Sequence, residues 1–243
     1  FRQFPNEIAA VILEPMNVNY PVAGFLEEVA ELTRQHGAVL IFDETVTGFR
    51  FHIGGAQAFF GVTPDLATFG KGMANGFPLS AVVGKADIMD MMEDIFFSGT
   101  FGGDILSLTA AKICINKLIK LDGPARLTTL GMRLQNGIQS LIQNFSLNDL
   151  ISINGHPSWS FLQLTPKHYT NLELKSFWMQ EIIERGFLSL GSHNLNLSHS
   201  EDDIDAILTA YKDIFPLLAE VENNKNLHEV FRGEYLQPVF KVR

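Results

Sequence analysis

The sequence has a single cysteine, Cys114, in 243 residues. It has no internal disulfide partner, and a reducing compartment, the cytoplasm, is the default expectation for such a chain. Long hydrophobic runs are also missing. No uninterrupted apolar stretch is long enough to cross a bilayer, and no signal-peptide pattern is present. Basic runs are absent too, and the net charge is −9. That balance argues against a nucleic-acid groove and against an anionic membrane surface as partner. The 7 histidines show no H-E-x-x-H or comparable spacing, so no metal site is expected. No internal repeat or low-complexity tract occurs. Two phosphate-binding signatures fail as well. Asp65 stands where a P-loop needs its first glycine. Gly70, Gly72 and Gly76 are spaced one residue too widely for a dinucleotide fingerprint.

What is present fits a soluble globular protein. Hydrophobic residues make up 46% and charged residues 19%, enough for a substantial core in one or two domains. The chain opens on Phe1 and reaches a strand-like run within a few residues, so further residues are expected upstream. Ile8 to Leu13 is a continuous apolar run ending at Glu14-Pro15. Without alternation it reads as a strand buried on both faces. Gly24 to His36 reads as a helix with Phe25, Val29 and Leu32 on its apolar face, and Gly37 suits its C-terminal stop. Ala38 to Phe42 is a second buried strand. Together they form a strand-helix-strand crossover, the α/β signature with parallel strands.

A short helix over Gly55 to Phe60 and a turn at Gly61 to Asp65 lead to a third strand, Leu66 to Phe69. Gly70-Lys71-Gly72 follows, and Ala81 to Val83 is a fourth apolar run. Ala86 to Met92 is a short helix, Ser98 to Gly103 a glycine-rich loop, and Ile105 to Leu121 a clear helix carrying Cys114 on an apolar pattern. From Ala125 a long amphipathic helix runs to Phe145. Strands are expected at Leu150 to Ile153, Trp159 to Leu164, Phe187 to Leu190 and Leu195 to Leu197. Helices are expected over Leu172 to Arg185 and Ser200 to Val221, the latter opened by a capping pattern. Trp159 and Trp178 read as core. The divisions are 1–123 for a larger domain, 124–222 for a smaller α+β domain joined through the long helix, and 223–243 for an arm with little structure of its own.

Glu14, Asp43 and Lys71 each follow an apolar strand run. Parallel strands would bring all three out at one sheet edge, where open α/β sheets bind ligands. An acid and an amine at adjacent strand ends form at the least an ion pair, worth little if exposed. The other reading places a cofactor between them. Pyridoxal phosphate (PLP) needs a lysine for a Schiff base and an acid to pair with its ring nitrogen. Small residues beside Lys71 let a bulky group approach its amine. At about 4 Å and an effective dielectric near 20, the acid–ring pair gains roughly 4 kcal/mol. That raises the ring nitrogen's pKa by up to ~3 before desolvation is subtracted. The Gly99-Thr100 pair offers a backbone N–H and a hydroxyl to a phosphate.

Phe42-Asp43-Glu44-Thr45-Val46-Thr47-Gly48-Phe49-Arg50, then Gly61 to Asp65, Gly70-Lys71-Gly72 and Ser98-Gly99-Thr100-Phe101 resemble the class III aminotransferases. Within that family the pattern is most similar to the glutamate-1-semialdehyde 2,1-aminomutases and their aminotransferase relatives. The resemblance runs to Gln237-Pro238-Val239-Phe240. It implies the C-terminal part of an α/β, fold type I PLP-dependent transferase, with a mostly parallel sheet and a smaller α+β C-terminal domain. It also implies a cofactor, PLP, and an activity, amino-group transfer on a small amino acid, amino-aldehyde or keto substrate. Lys71 would be the Schiff-base lysine and the base for the proton shift, and Asp43 would pair with the ring nitrogen. Thr45 stands where the family usually packs a valine on the ring, and its hydroxyl needs a partner. Val46 stands where many aminotransferases carry a glutamine, which favours the aminomutase-like branch. Gly99 and Thr100 would reach the phosphate in a neighbouring subunit, which implies a homodimer with shared sites. Glu14 matches the family's Glu-Pro strand end, as a supporting or purely structural residue.

Two departures stand out. Phe101-Gly102-Gly103-Asp104 replaces a segment more like Ser-Gly-Asn-Pro in true aminomutases. The family's N-terminal half, which carries the main phosphate loop, is not in this chain. The rival expectation is therefore a truncated, non-catalytic remnant that needs that half or a partner chain.

Overall fold

The structure is a computed structural model, and it describes residues 1–238. Val239 and Phe240, the end of the family-like tail, lie outside the described residues. The chain divides into two compact units, Phe1–Arg126 and a second beginning at Leu127.

The first unit contains, in order, β1 (Ala10–Leu13), α1 (Phe25–Gln35), β2 (Val39–Asp43), α2 (Gly55–Phe60), β3 (Leu66–Phe69), β4 (Ala81–Gly84), α3 (Ala86–Met89) and α4 (Ile105–Lys120). The four strands form one sheet in sequence order. β1, β2 and β3 are mutually parallel, with Leu13 opposite Phe42 and Asp43 opposite Thr68. β4 returns antiparallel to β3. This is the mostly parallel α/β sheet the apolar runs imply.

Local chemistry sets the ends of α1. Gly24 opens it at φ +85° and Gly37 lies beyond its end at φ +65°. Glu27 and Glu28 sit in its first turn and Arg34 in its last, each favoured by the helix dipole. The buried face differs from the expected one by about one position. Leu26 and Thr33 are buried, Val29 and Ala30 pack beside them, and Phe25 and Leu32 are exposed. Thr33 passes as apolar here because its hydroxyl donates to the Val29 and Ala30 carbonyls. Leu26 joins Leu40, Phe42 and Val62 in a small core.

The first strand departs from the two-sided burial expected of it, and the fourth is also an exposed edge. Ile12 on β1 is 62% exposed, and Val82 and Val83 on β4 are exposed as well. Both strands lie at the sheet's edges; among the described residues one face of β1 is uncovered, and β4 is exposed on both faces at Val82 and Val83. Cys114 is half-buried. It lies at the margin of the α4 face formed by Ala111 and Ile115.

Asp65 ties the strand starts together. Its backbone N–H donates to the Leu40 carbonyl and its carboxylate accepts from the Leu40 N–H at 2.8 Å and from Lys85 Nζ at 2.6 Å. The Lys85 N–H donates to the Asp65 carbonyl. Gly84 permits that approach, since a Cβ there would lie 2.4 Å from the same carbonyl.

The second unit takes in most of α5 (Gly123–Asn144), then β5 (Ile151–His156), β6 (Trp159–Leu164), α6 (Asn171–Glu184), β7 (Ser192–Asn194), α7 (Glu201–Asn224) and α8 (Leu227–Val230). β5, β6 and β7 form an antiparallel sheet. α6 and α7 each open with a reciprocal capping box, Thr170 with Glu173 and Ser200 with Asp203. The core gathers Leu134, Ile138, Trp178, Tyr211, Phe215 and Leu218, with Trp159 also buried.

One strand, β7, replaces the two expected at Phe187 to Leu190 and Leu195 to Leu197. The apolar residues misled there: Leu188 and Leu190 are exposed. The strand forms instead on Ser192-His193-Asn194, which places His193 inward opposite Ser160. In the expected arm, α8 forms and Leu227 is fully buried. Phe231 and Tyr235 pack on the core, and the Leu236 N–H donates to Ser176 Oγ.

Candidate active site

The C-terminal ends of three parallel strands carry the candidate residues. Glu14 follows β1, Asp43 ends β2, and Lys71 comes two residues after β3. Their fates differ. Glu14 is exposed and accepts a hydrogen bond from Asn17 at 3.1 Å. Asp43 is half-buried within a set of donors. Its Oδ1 accepts from the Thr45 N–H at 2.9 Å and from Thr68 Oγ1 at 3.2 Å. These contacts hold Asp43 below the usual carboxylate range. The Thr45 hydroxyl contributes most, with the Thr45 N–H, the Thr68 hydroxyl and the charge of Lys71 adding to it against desolvation.

Lys71 opens a single 3₁₀ turn, Lys71–Met73, and adopts φ +43°. A left-handed conformation is costly for a residue with a Cβ and persists only where the surroundings fix it. Here the Met73 N–H donates to the Gly70 carbonyl and the Asn75 N–H to the Lys71 carbonyl. Met73 and Ala74 are buried against Ala111 of α4, with Phe49, Phe69 and Ile115 packed around them. The back of the turn is therefore anchored while Lys71 itself is exposed. At Gly72 a Cβ would meet nothing within 4 Å, and at Gly70 nothing closer than Thr45 Cγ2 at 3.5 Å. The backbone on either side of Lys71 is thus uncrowded, and no ion pair within 4 Å joins Lys71 to Asp43 among the described residues.

Two residues that sequence reasoning left out shape this edge. Thr68 lies opposite Asp43 in the sheet register, three positions before Lys71. Glu44 points the other way from Asp43 and is 1% exposed. Its carboxylate accepts from Thr47 Oγ1 at 2.6 Å, the Ala56 N–H at 2.7 Å and the Gln57 N–H at 2.8 Å. It therefore pins the loop after β2 to the start of α2. Gly48 is needed in that loop, because a Cβ would lie 2.5 Å from the Phe69 ring and 2.7 Å from the Glu44 carbonyl. An acidic residue followed by threonine three positions on was the available signal for Glu44. Register alone marks Thr68.

Val46 is half-buried in the same loop. Gly99 and Thr100 are elsewhere, in an exposed turn closed by the Gly102 N–H on the Gly99 carbonyl. Among the described residues no hydrogen bond joins that turn to Asp43 or Lys71. His193, which flanks an apolar stretch in the sequence, lies in the second unit. It is enclosed by Ser160 Oγ at 2.9 Å and Tyr211 OH at 2.7 Å, and burial pushes its pKa down to about 4. No group of His, Cys, Asp and Glu among the described residues is arranged to hold a metal ion. No described helix is long and apolar enough to cross a membrane.

Comparison with known proteins adds the following. The model of the family "Aminotransferase class-III" matches residues 1–154. Glutamate-1-semialdehyde 2,1-aminomutase 2 of Brevibacillus brevis is 33% identical over 227 residues, 86% of this chain and 53% of the relative. Glutamate-1-semialdehyde 2,1-aminomutase of Methanospirillum hungatei is 34% identical over 222 residues, 85% of this chain and 52% of the relative. Among solved structures, the FumI protein of Sphingopyxis sp. MTA144 in its PLP internal aldimine form superposes with a TM-score of 0.81. That likeness covers 91% of this chain and 54% of that one at 24% identity, and it speaks for the fold. The chain spans about half the length of the curated relatives it matches.

Proposed function

This chain belongs to the class III aminotransferase family, and from that membership we propose that the full-length protein carries out PLP-dependent amino-group transfer. The observation that carries the reading is the pairing of Asp43 and Lys71. A carboxylate and an amine follow adjacent parallel strands at their C-terminal ends, and the Lys71 charge adds a small part to what holds Asp43 ionised. The donor set suits PLP: an amine with uncrowded backbone on either side, and a carboxylate with hydroxyl and N–H partners on one side.

When bound, PLP supplies an electron sink beside the bond that changes. Lys71 Nζ holds the cofactor covalently and moves a proton during turnover. Asp43 keeps a proton on the cofactor's ring nitrogen. Thr45 and Val46 line the same loop, with the Thr45 methyl turned toward Gly70. Gly99 and Thr100 supply an N–H and a hydroxyl to phosphate across the interface of a homodimer with shared sites. Residues 1–123 are the cofactor-binding part, 124–222 the small domain and 223–243 the arm. The substrate is a small amino acid, amino-aldehyde or keto compound, and the cytoplasm is the proposed location. The names of the curated relatives and the apolar Val46 favour the aminomutase-like branch over a simple aminotransferase.

Lys71→Ala in the full-length protein abolishes turnover, and Asp43→Ala lowers it by several orders of magnitude. Normal rates in the Lys71 variant would sink the assignment. A natural protein whose intact mass matches this chain alone would favour the rival, a truncated non-catalytic remnant that needs the missing half or a partner chain.

A further inference from the structure

We propose that Thr68 and Thr45 are positioning residues that clamp the Asp43 carboxylate, fixing one oxygen so that the group stays ionised and aimed along the sheet edge toward Lys71. The consequence for the cofactor rests on the PLP reading above; the clamp itself does not.

The clamp comes from two directions. Thr45 follows Asp43 by two residues and delivers its N–H at 2.9 Å from the same strand end. Thr68 reaches across from β3, where the register sets it directly opposite, and donates to the same Oδ1 at 3.2 Å. Hydrogen bonds to an ionised acceptor are stronger than neutral ones and favour the charged form. Two anchors on different strands also remove the carboxylate's freedom to rotate. Neither anchor is easily lost. The Glu44 N–H donates to the Thr68 carbonyl, so the strand pairing that presents Thr68 continues past Asp43. The only other charge acting on Asp43 among the described residues is that of Lys71, across the strand gap. Glu44, the adjacent acid, is turned inward and engaged with Thr47, Ala56 and Gln57.

The functional logic follows from proton sharing. An acid meant to leave a proton on its partner must be the weaker base of the two. Each hydroxyl donated to Asp43 lowers its basicity.

The test uses the full-length protein with its aspartates ¹³C-labelled at the carboxyl. Thr68→Val keeps the β-branched shape and removes the hydroxyl; Thr68→Ser keeps the hydroxyl. Without added cofactor, the Asp43 titration midpoint moves upward in Thr68→Val and in Thr45→Val, and Thr68→Ser stays near the parent. With PLP added, Thr68→Val binds it about tenfold more weakly, equivalent to losing about 1.4 kcal/mol, and Thr68→Ser restores affinity. An Asp43 midpoint unmoved by Thr68→Val, or moved equally by Thr68→Ser, overturns the clamp. A midpoint that moves as expected in a protein whose Lys71 never forms a PLP adduct upholds the clamp and defeats the PLP reading.

Discussion

Glu44→Ala offers the most demanding check on how the site edge is built. Glu44 is buried, and its carboxylate accepts from the Ala56 and Gln57 N–H groups and from the Thr47 hydroxyl, all within 2.8 Å. Truncation removes every one of these acceptors. The Thr47 hydroxyl can rotate toward another partner, but the two backbone donors cannot. Ala56 is fully buried, so water does not replace what is lost there. A buried donor left unsatisfied costs about 1–3 kcal/mol. One fully buried and one part-buried donor together therefore cost roughly 2–6 kcal/mol locally, a large part of the ~5–15 kcal/mol that holds a domain folded. Amide hydrogen exchange reads this directly, because protection reports the free energy of local opening. The Ala56 and Gln57 amides are expected to exchange at least ~25-fold faster in Glu44→Ala, with 1.4 kcal/mol counted per factor of ten. Glu44→Gln keeps one acceptor oxygen and falls between. Amides in the second unit, such as that of Ile214, keep their protection. Unchanged protection at Ala56 and Gln57 would refute the reasoning, because the carboxylate would then not be what anchors the loop after β2.

Two further outcomes belong to the second unit. His193 has its pKa depressed from 6.5 to about 4 by burial. The unfolded chain then binds the proton first, so stability is full above about pH 6.5 and declines as pH falls toward about 4, by roughly 3 kcal/mol in all. Urea midpoints read from the fluorescence of Trp178, which stacks near Tyr211 at 6.4 Å, should fall across that window, and a flat profile would contradict it. Gly131 on α5 lies so close to the turn after β5 that a Cβ would sit 1.9 Å from the Pro157 carbonyl. Gly131→Ala forces the backbone apart and should destabilise the unit by about 1–3 kcal/mol; an unchanged urea midpoint would show that the contact yields freely.

Much of this architecture was legible because local chemistry and the global fold agree. The β1–α1–β2 crossover declared itself through two apolar runs, a helical period between them and Gly37 at the join. The capping box at Ser200 and Asp203 marked the start of its helix to within a residue, while the helix runs to Asn224, three residues past the expected Val221. Errors arose where burial depends on partners distant in sequence. Phe25 and Leu32 looked like the inner face of α1, yet Thr33 took an inner place because the backbone carbonyls behind it satisfy its hydroxyl. Leu188 and Leu190 looked like strand residues, whereas polar Ser192-His193-Asn194 pairs with β6 because Ser160 and Tyr211 receive the imidazole. At the candidate site, Asp43 and Lys71 were readable as strand-end residues. Thr68 was not, since its claim rests on cross-strand register. Glu44 was overlooked for a related reason: its partners Ala56 and Gln57 are backbone donors a loop away.

The central claim is that Lys71 is a covalent amine for PLP. Incubating the full-length protein with PLP, reducing with borohydride and mapping the modified peptides tests it most directly. The account predicts a phosphopyridoxyl adduct on Lys71. An unmodified Lys71, with the label absent or on other lysines, would contradict it and leave Asp43 and Lys71 as two charged residues at one sheet edge.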